Sequence, residues 1–259
     1  MYEHLKITTE GGVCTVTLNR PEVYNALNDT ITYELQKALK DIGKDDAVRV
    51  VVLTGAGKAF CSGQDLKEAS IDENKSFMQS LNKRYNPIIR LMKGMPKPII
   101  CKLNGVAAGA GCSLALACDI IVAAEEAVLT EVFVNIGLVL DSGSSYFLPR
   151  LVGSTKAFEL STMGSRTNGK EAYELGIVNK VVSGSDLDGA VKAYADYYAN
   201  APTKAIGLMK KMLNKSGNAS LDDMLEYEAY CQEIAGNTHD YKEGVSAFME
   251  KRKPKFSGN

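Results

Sequence analysis

Short aliphatic runs recur along the chain at Val48–Thr54, Pro98–Leu103 and Ile120–Ala123, and residues of helical period separate them. Runs that are apolar on both faces suit strands covered on both sides. Strands that alternate with helices pair in parallel within an α/β domain. Ahead of the first run, Val13–Leu18 alternates with a two-residue period after Gly11-Gly12, and His4–Thr9 precedes it, which predicts a hairpin. From the N-cap candidate Asn28, the residues Ile31, Leu35, Ala38, Leu39 and Ile42 recur at helical spacing. A polar helix is expected over about Asn74–Met92, a small-residue helix over Gly111–Ala117 and a further strand within Ile177–Val182.

Beyond that strand the pattern is wholly helical, over Ser185–Asn200, Pro202–Asn214, Leu221–Ala235 and Asp240–Lys251. The reading is therefore an α/β domain over residues 1–200 and a helical region over 201–259. No clean internal repeat is evident, and the basic tail Lys251–Asn259 is expected to be loose. A chain of 259 residues can bury about 70–75% of its unfolded surface and needs no staples to fold. Thirty basic residues against 31 acidic ones leave no global field for nucleic acid or an anionic membrane, so neither is expected as a partner. The six cysteines lie in apolar stretches without CxxC spacing, and the N-terminus lacks a signal-peptide pattern. A reduced, cytoplasmic protein with buried thiols is expected.

Several nucleotide and metal motifs fail on their spacing. Gly55-Ala-Gly57-Lys58 lacks the earlier glycine and the following hydroxyl residue of a phosphate loop, since Val52 and Ala59 stand there. Gly109-Ala-Gly111 has Leu114 where a dinucleotide fingerprint needs its third glycine. His4 and His239 are the two histidines, both expected at the surface, and they supply neither a triad nor a metal cluster. Two other segments can converge backbone amides on one oxygen. These are Ala59-Phe-Cys-Ser-Gly-Gln-Asp65, after a buried strand, and Asn104-Gly-Val-Ala-Ala-Gly-Ala-Gly-Cys112, which opens a helix. Such amides suit a developing oxyanion. The same small residues equally suit tight helix–sheet packing.

The chain resembles the crotonase superfamily, the enoyl-CoA hydratases and isomerases, over nearly its whole length. The resemblance lies in Leu18-Asn19-Arg20-Pro21, Asn25-Ala26-Leu27, Ala59 through Leu66, Lys97-Pro98, Asn104 through Gly111, Cys118-Asp119, Gly137-Leu138, Leu148-Pro149-Arg150 and Glu243-Gly244 through Phe256. It implies a spiral of ββα units and a helical C-terminal region that assembles trimers or dimers of trimers. It also implies an acyl-CoA substrate whose carbonyl is held by the Gln64 and Ala110 amides. The segment Ala59–Leu66 would wrap coenzyme A, with Ala59, Ser62, Gly63, Asp65 and Leu66 in contact, and Lys251, Lys253 and Lys255 are candidates for its phosphates. Coenzyme A would enter as part of the substrate, with no further cofactor and no metal.

The hydratases of that family use two glutamates, and the match puts Ser113 and Phe133 at their positions. Neither is a carboxylate base. Glu131 lies two residues from Phe133, off the ungapped match. What remains is Asp141, in Gly137-Leu-Val-Leu-Asp-Ser-Gly143, where the family's isomerases carry a single proton-shuttling carboxylate. Phe133, Leu140 and Tyr146 are the expected acyl-pocket residues, and the alternative role for Asp141 is to cap the helix that contains Tyr146–Leu151. The resemblance is greatest to the isomerases of phenylacetate degradation, which act on a ring epoxide and shift enoyl double bonds, although Leu140 stands where those have proline. The expectation is an acyl-CoA isomerase; the alternatives are an enoyl-CoA hydratase or an inactive acyl-CoA-binding member.

Overall fold

A computed structural model describes residues 2–69 and 76–259. The hairpin comprises β1 (Leu5–Glu10) and β2 (Val13–Leu18), paired antiparallel. Next come α1 (Asp29–Lys44), β3 (Val50–Gly55), β4 (Ala59–Cys61), α2 (Leu66–Ala69), α3 (Phe77–Ser80) and, after one π-helical turn over Leu81–Tyr85, α4 (Asn86–Gly94). The central segment holds β5 (Ile99–Leu103), β6 (Val106–Ala108), α5 (Ala110–Leu116), β7 (Ile120–Ala124), β8 (Val128–Thr130) and α6 (Ser144–Met163). The last part is β9 (Arg166–Asn168), α7 (Gly169–Glu174), β10 (Lys180–Val182), α8 (Leu187–Ala199), α9 (Thr203–Ser216), α10 (Leu221–Gly236) and α11 (His239–Met249). The expected start of the polar helix at Asn74 lies outside the described residues.

Two sheets result, one ordered β1-β2-β3-β5-β7-β10 and the other β4-β6-β8-β9. The chain repeatedly lays one strand in the large sheet, the next in the small one, and then turns into helix, as in β5, β6, α5 and β7, β8, α6. A ββα repeat thus exists in space although the sequence carries no clean repeat. The α/β expectation with parallel pairing holds: β2-β3-β5-β7-β10 and β4-β6-β8 are all parallel. The core lies between the large sheet and its helices, where Leu18, Ile31, Leu35, Leu53, Met92 and Ile99 are fully buried. The six cysteines are free and buried. Among the described residues no helix is long and apolar enough to cross a membrane.

Polar groups inside this frame fix the loops that carry the small sheet. Asn28 caps α1 by accepting the Ile31 amide at 2.9 Å, and the buried Lys97 ammonium donates to the Ile42 carbonyl at the other end of the helix at 2.6 Å. Asn25, wholly buried in a left-handed conformation (φ 57°), donates to Ala56 O at 2.9 Å and Ala59 O at 2.8 Å and accepts from Arg20 N at 3.0 Å. Asn104 donates to the carbonyls of Gly55 and Gly57 at 3.0 Å each. Two asparagines therefore tie down the turn between the large sheet and β4.

Two expectations are corrected. The tail is not loose: Arg252 pairs with Glu243, the Lys255 amide donates to Glu243 at 2.7 Å, and the Ser257 and Gly258 amides donate to the buried Asp240 carboxylate. Fixed carboxylates on α11 hold what composition alone reads as a solvated basic tail. His4 is not at the surface but half-buried beside Asn28, whereas His239 is exposed. On either side of residue 200, α8 packs on β3, β5 and β7, and α9 packs on α10 and also on α4 of the preceding part.

Replacing Asn25 with alanine removes three hydrogen bonds and leaves an L-alanine in the left-handed region. The expected loss is about 3 kcal/mol in urea unfolding at an unchanged m-value. A loss below about 1 kcal/mol would show that the turn does not depend on this side chain.

Candidate active site

The small sheet brings the two amide-bearing segments together. After β4, Leu27 N donates to Gly63 O at 2.7 Å and Asp65 N to Leu27 O at 3.0 Å, in a single parallel bridge between Leu27 and Gln64. In such a bridge the Gln64 N–H points away from Leu27. Gly63 takes φ +92°, and a Cβ added to it would lie 2.7 Å from Ala108 O and 3.5 Å from Ala110 N. The Ala110 N–H, at the first residue of α5, has no partner within the helix. The Gln64 and Ala110 amides therefore lie on adjoining segments.

The remaining residues of the Ala59–Leu66 segment divide into braces and exposed positions. Ala59 is buried in β4 and its carbonyl accepts from Asn25, so this residue helps brace the loop. The Asp65 carboxylate pairs with Arg20 at 3.0 Å, which also donates to Ala26 O at 2.7 Å. Ser62 donates to Val23 O at 3.3 Å and Gly63 is buried. Leu66 is exposed at the start of α2. The lysines Lys251, Lys253 and Lys255 project from the tail tied to α11.

Asp141 sits on the loop between a 3₁₀ turn over Val132–Ile136 and α6. The alternative of a cap is excluded by geometry: the N-cap of α6 is Gly143 and no side chain caps it. Ser142 (φ 50°) and Gly143 (φ 88°) reverse the chain, and the Asp141 carbonyl accepts from Ser144 N at 3.0 Å. One Asp141 carboxyl oxygen is buried with no hydrogen-bond partner among the described residues. Burial holds this carboxyl above the usual carboxylate range, partly offset by Ser142 beside it. Phe133 and Leu140 line one cavity of about 470 Å³ together with Leu138, Val139 and Phe158. Tyr146 is not brought to that cavity. It lines another, of about 660 Å³, with Met209 and Leu213, and Arg150 stacks on its ring at 3.5 Å.

Three further groups stand beside this loop, of which the sequence marks Ser113 and Glu131 only against the hydratase positions and Tyr85 not at all. Glu131 is buried, and Ser144 donates to its Oε1 at 2.6 Å. Burial pushes its carboxyl up to about 7, with the Asp141 charge adding to the rise and Ser144 and Cys112 opposing it. Ser113 Oγ lies 2.7 Å from Ser144 Oγ and 3.1 Å from Asp141 O. Tyr85, set by the π-helical turn, buries a hydroxyl with no hydrogen-bond partner among the described residues, and the Asp141 charge helps hold that phenol protonated. Nothing in the spacing marks Tyr85. Glu131 could be noticed only as a carboxylate off the hydratase position.

The native state binds a proton at Glu131 more tightly than the unfolded chain does. Stability from this group is therefore full below pH about 4.5 and is lost as pH rises through about 7, with Asp141 acting in the same direction. Urea unfolding across this range should show wild type losing on the order of 3 kcal/mol more than Glu131→Gln. Parallel curves for the two proteins would show that the carboxyl titrates normally.

Sequence comparison places these features in a known group. The enoyl-CoA hydratase/isomerase family model matches residues 8–259. The 1,2-epoxyphenylacetyl-CoA isomerase of Escherichia coli is 40% identical over 261 residues, covering 100% of both chains. The trans-2-decenoyl-[acyl-carrier-protein] isomerase of Streptococcus mutans is 34% identical, covering 99% of each. The crotonyl-CoA hydratase of Syntrophomonas wolfei is 34% identical, covering 98% of each. The crystal structure of an enoyl-CoA hydratase from Bacillus anthracis superimposes with a TM-score of 0.95 at 33% identity, covering 99% of this chain and 100% of that one. The two-sheet ββα architecture is the crotonase fold, and the chain belongs to the enoyl-CoA hydratase/isomerase family of enzymes.

Proposed function

We propose that this enzyme isomerises a CoA thioester, with Asp141 as its single proton shuttle and the Gln64 and Ala110 amides as donors to the thioester oxygen. The observation that carries this reading is the Asp141 carboxyl, buried, partnerless at one oxygen and not used as a cap. In a 3-enoyl thioester the carboxylate takes a proton from the α carbon, and the C–H electrons pass into a dienolate whose oxygen the two amides hold. The resulting carboxylic acid returns the proton at the γ carbon, which leaves the 2-enoyl isomer. No water is consumed and no cofactor beyond the substrate's own CoA takes part. A raised carboxyl pKa suits a group that must both accept and release the proton.

The 40% identity with a 1,2-epoxyphenylacetyl-CoA isomerase supports a ring-epoxide thioester as a further substrate. Hydration is the second reading, favoured by the raised carboxyl of Glu131 near the loop and by relatives named as hydratases. Against it, Ser144 engages one Glu131 oxygen, the other is buried without a partner among the described residues, and Ser113 and Phe133 supply no other base. The unpaired buried thiols suit a reducing, cytoplasmic setting.

Self-association into a trimer or a dimer of trimers is part of this proposal. Met209, Leu213 and Phe248 on the C-terminal helices and Val139, Phe158 and Met163 around α6 are exposed apolar side chains on different elements. Two distinct apolar faces suit a head-to-tail ring. Light scattering at micromolar concentration should give three or six chains per particle. A monomer would remove this part of the reading.

Asp141→Asn should lower isomerisation of 3-enoyl-CoA by roughly 10²–10⁴ while a saturated acyl-CoA binds nearly unchanged. In D₂O the wild type should place deuterium at the α or γ carbon without the mass of added water. Efficient formation of 3-hydroxyacyl-CoA, or undiminished isomerisation by Asp141→Asn, would return the assignment to hydratase.

A further inference from the structure

Behind the loop that carries Asp141 lies an unbroken chain of side-chain oxygens. Glu131 Oε1 is 2.6 Å from Ser144 Oγ, Ser144 Oγ is 2.7 Å from Ser113 Oγ, and Ser113 Oγ is 3.1 Å from the Asp141 carbonyl. Glu131, Ser113 and Ser144 are all buried. The chain joins three elements: the residue after β8, the helix α5 whose first amide belongs to Ala110, and the start of α6. Nothing in the proton shuttle described above uses Glu131.

Three oxygen–oxygen contacts need three protons. With the carboxyl ionised, only the two serine protons are present, and Glu131 can only accept. The two shortest contacts take them: Ser144 donates to Glu131 and Ser113 donates to Ser144. The Asp141 carbonyl then loses the Ser113 hydrogen bond and keeps only that from Ser144 N at 3.0 Å. With the carboxyl protonated, the third proton is present. Glu131 donates to Ser144, Ser144 to Ser113 and Ser113 to the Asp141 carbonyl, and every contact is filled. Gly109 O, 3.3 Å from Ser113 Oγ, competes weakly for the same proton in either state.

We propose that Glu131 is a positioning residue whose protonated carboxyl, acting through Ser144 and Ser113, anchors the backbone carbonyl of Asp141, and whose ionisation reverses the hydroxyl chain and releases that anchor. The functional part of this inference rests on the reading of Asp141 as the proton shuttle; the anchoring itself does not. Burial places the Glu131 titration at about 7, where it can act across ordinary working conditions. The titratable groups that face Glu131 are Cys112 from α5, itself held protonated by burial, and Asp141 from the loop. The neighbouring side chains from α6 and β9, such as Leu148, Leu160 and Thr167, do not titrate. The reversal of the chain therefore follows Glu131.

Asp141-Ser142 is the only Asp-Ser step in the sequence, so carbonyl-¹³C aspartate with ¹⁵N serine labels one peptide bond and gives one NMR correlation. In the wild type the Asp141 carbonyl shift should move with a midpoint near pH 7, and the movement should vanish in Glu131→Gln. Should that variant fail to fold, Ser144→Ala breaks the same chain and should abolish the same transition. No movement near pH 7 in the wild type, or the same movement in a folded variant, overturns the proposal whether or not the enzyme isomerises anything. In turnover of 3-enoyl-CoA, kcat/KM of the wild type should fall roughly three- to tenfold from pH 6 to 8.5, the worth of one anchoring hydrogen bond, and stay level in Glu131→Gln. An unchanged falling limb in the variant counts against Glu131 while leaving Asp141 in place; a wild type with no isomerase turnover removes the shuttle and leaves the NMR transition to decide the anchoring.

Discussion

The close approach of Gly111 to the Cys61 carbonyl is the contact on which the rest of the site depends. A Cβ at Gly111 would lie 2.2 Å from that oxygen, well inside any real contact. Only because this residue has no side chain can α5 begin against the end of β4. That abutment places the Ala110 amide beside the Gly63-Gln64 turn and lets Ser113, one turn into the helix, reach the loop of Asp141. An alanine there would push helix and strand apart and separate the two amides before it touched any reacting group. The asparagine ties at Asn25 and Asn104 hold the strand side of the same contact, so polar and steric constraints act on one seam.

The large sheet is legible because all its strands but the three-residue β10 are long enough to show a pattern. The alternation in Val13–Leu18 and the solid run in Val48–Thr54 each span five or more residues, and Asn28 announces α1 with its own cap. The small sheet was not legible. Its strands β4, β6, β8 and β9 have three residues each, too few for a period, and they are strands only because neighbouring strands supply hydrogen bonds. The tail departs from its expectation for a related reason: what holds it are Asp240 and Glu243, and nothing in a count of lysines shows where carboxylates will stand.

The site residues followed a similar division. Gln64, Ala110 and Asp141 enter the candidate site through the resemblance, since each belongs to an ordered motif that matches without gaps. Tyr146 illustrates the limit. It lies five residues from Asp141 in sequence, yet the helix turns it to the cavity under Arg150, away from Phe133 and Leu140. Glu131 and Tyr85 acquire meaning only from burial. Both carry polar atoms without hydrogen-bond partners among the described residues, and burying such groups costs stability that the packed core offsets.

The six buried thiols have a consequence of a different kind. Burial raises the pKa of Cys14, Cys61, Cys101 and Cys112, so the reactive thiolate is scarce as well as enclosed. A soluble alkylating reagent can therefore reach them only through openings of the fold. Cys14 reports the hairpin, Cys61 and Cys112 the seam between β4 and α5, and Cys231 the helix α10. When reclosing outruns the reagent, the rate at each sulfur measures the free energy of the opening that exposes it. The native sequence thus carries its own set of probes for where this fold first comes apart.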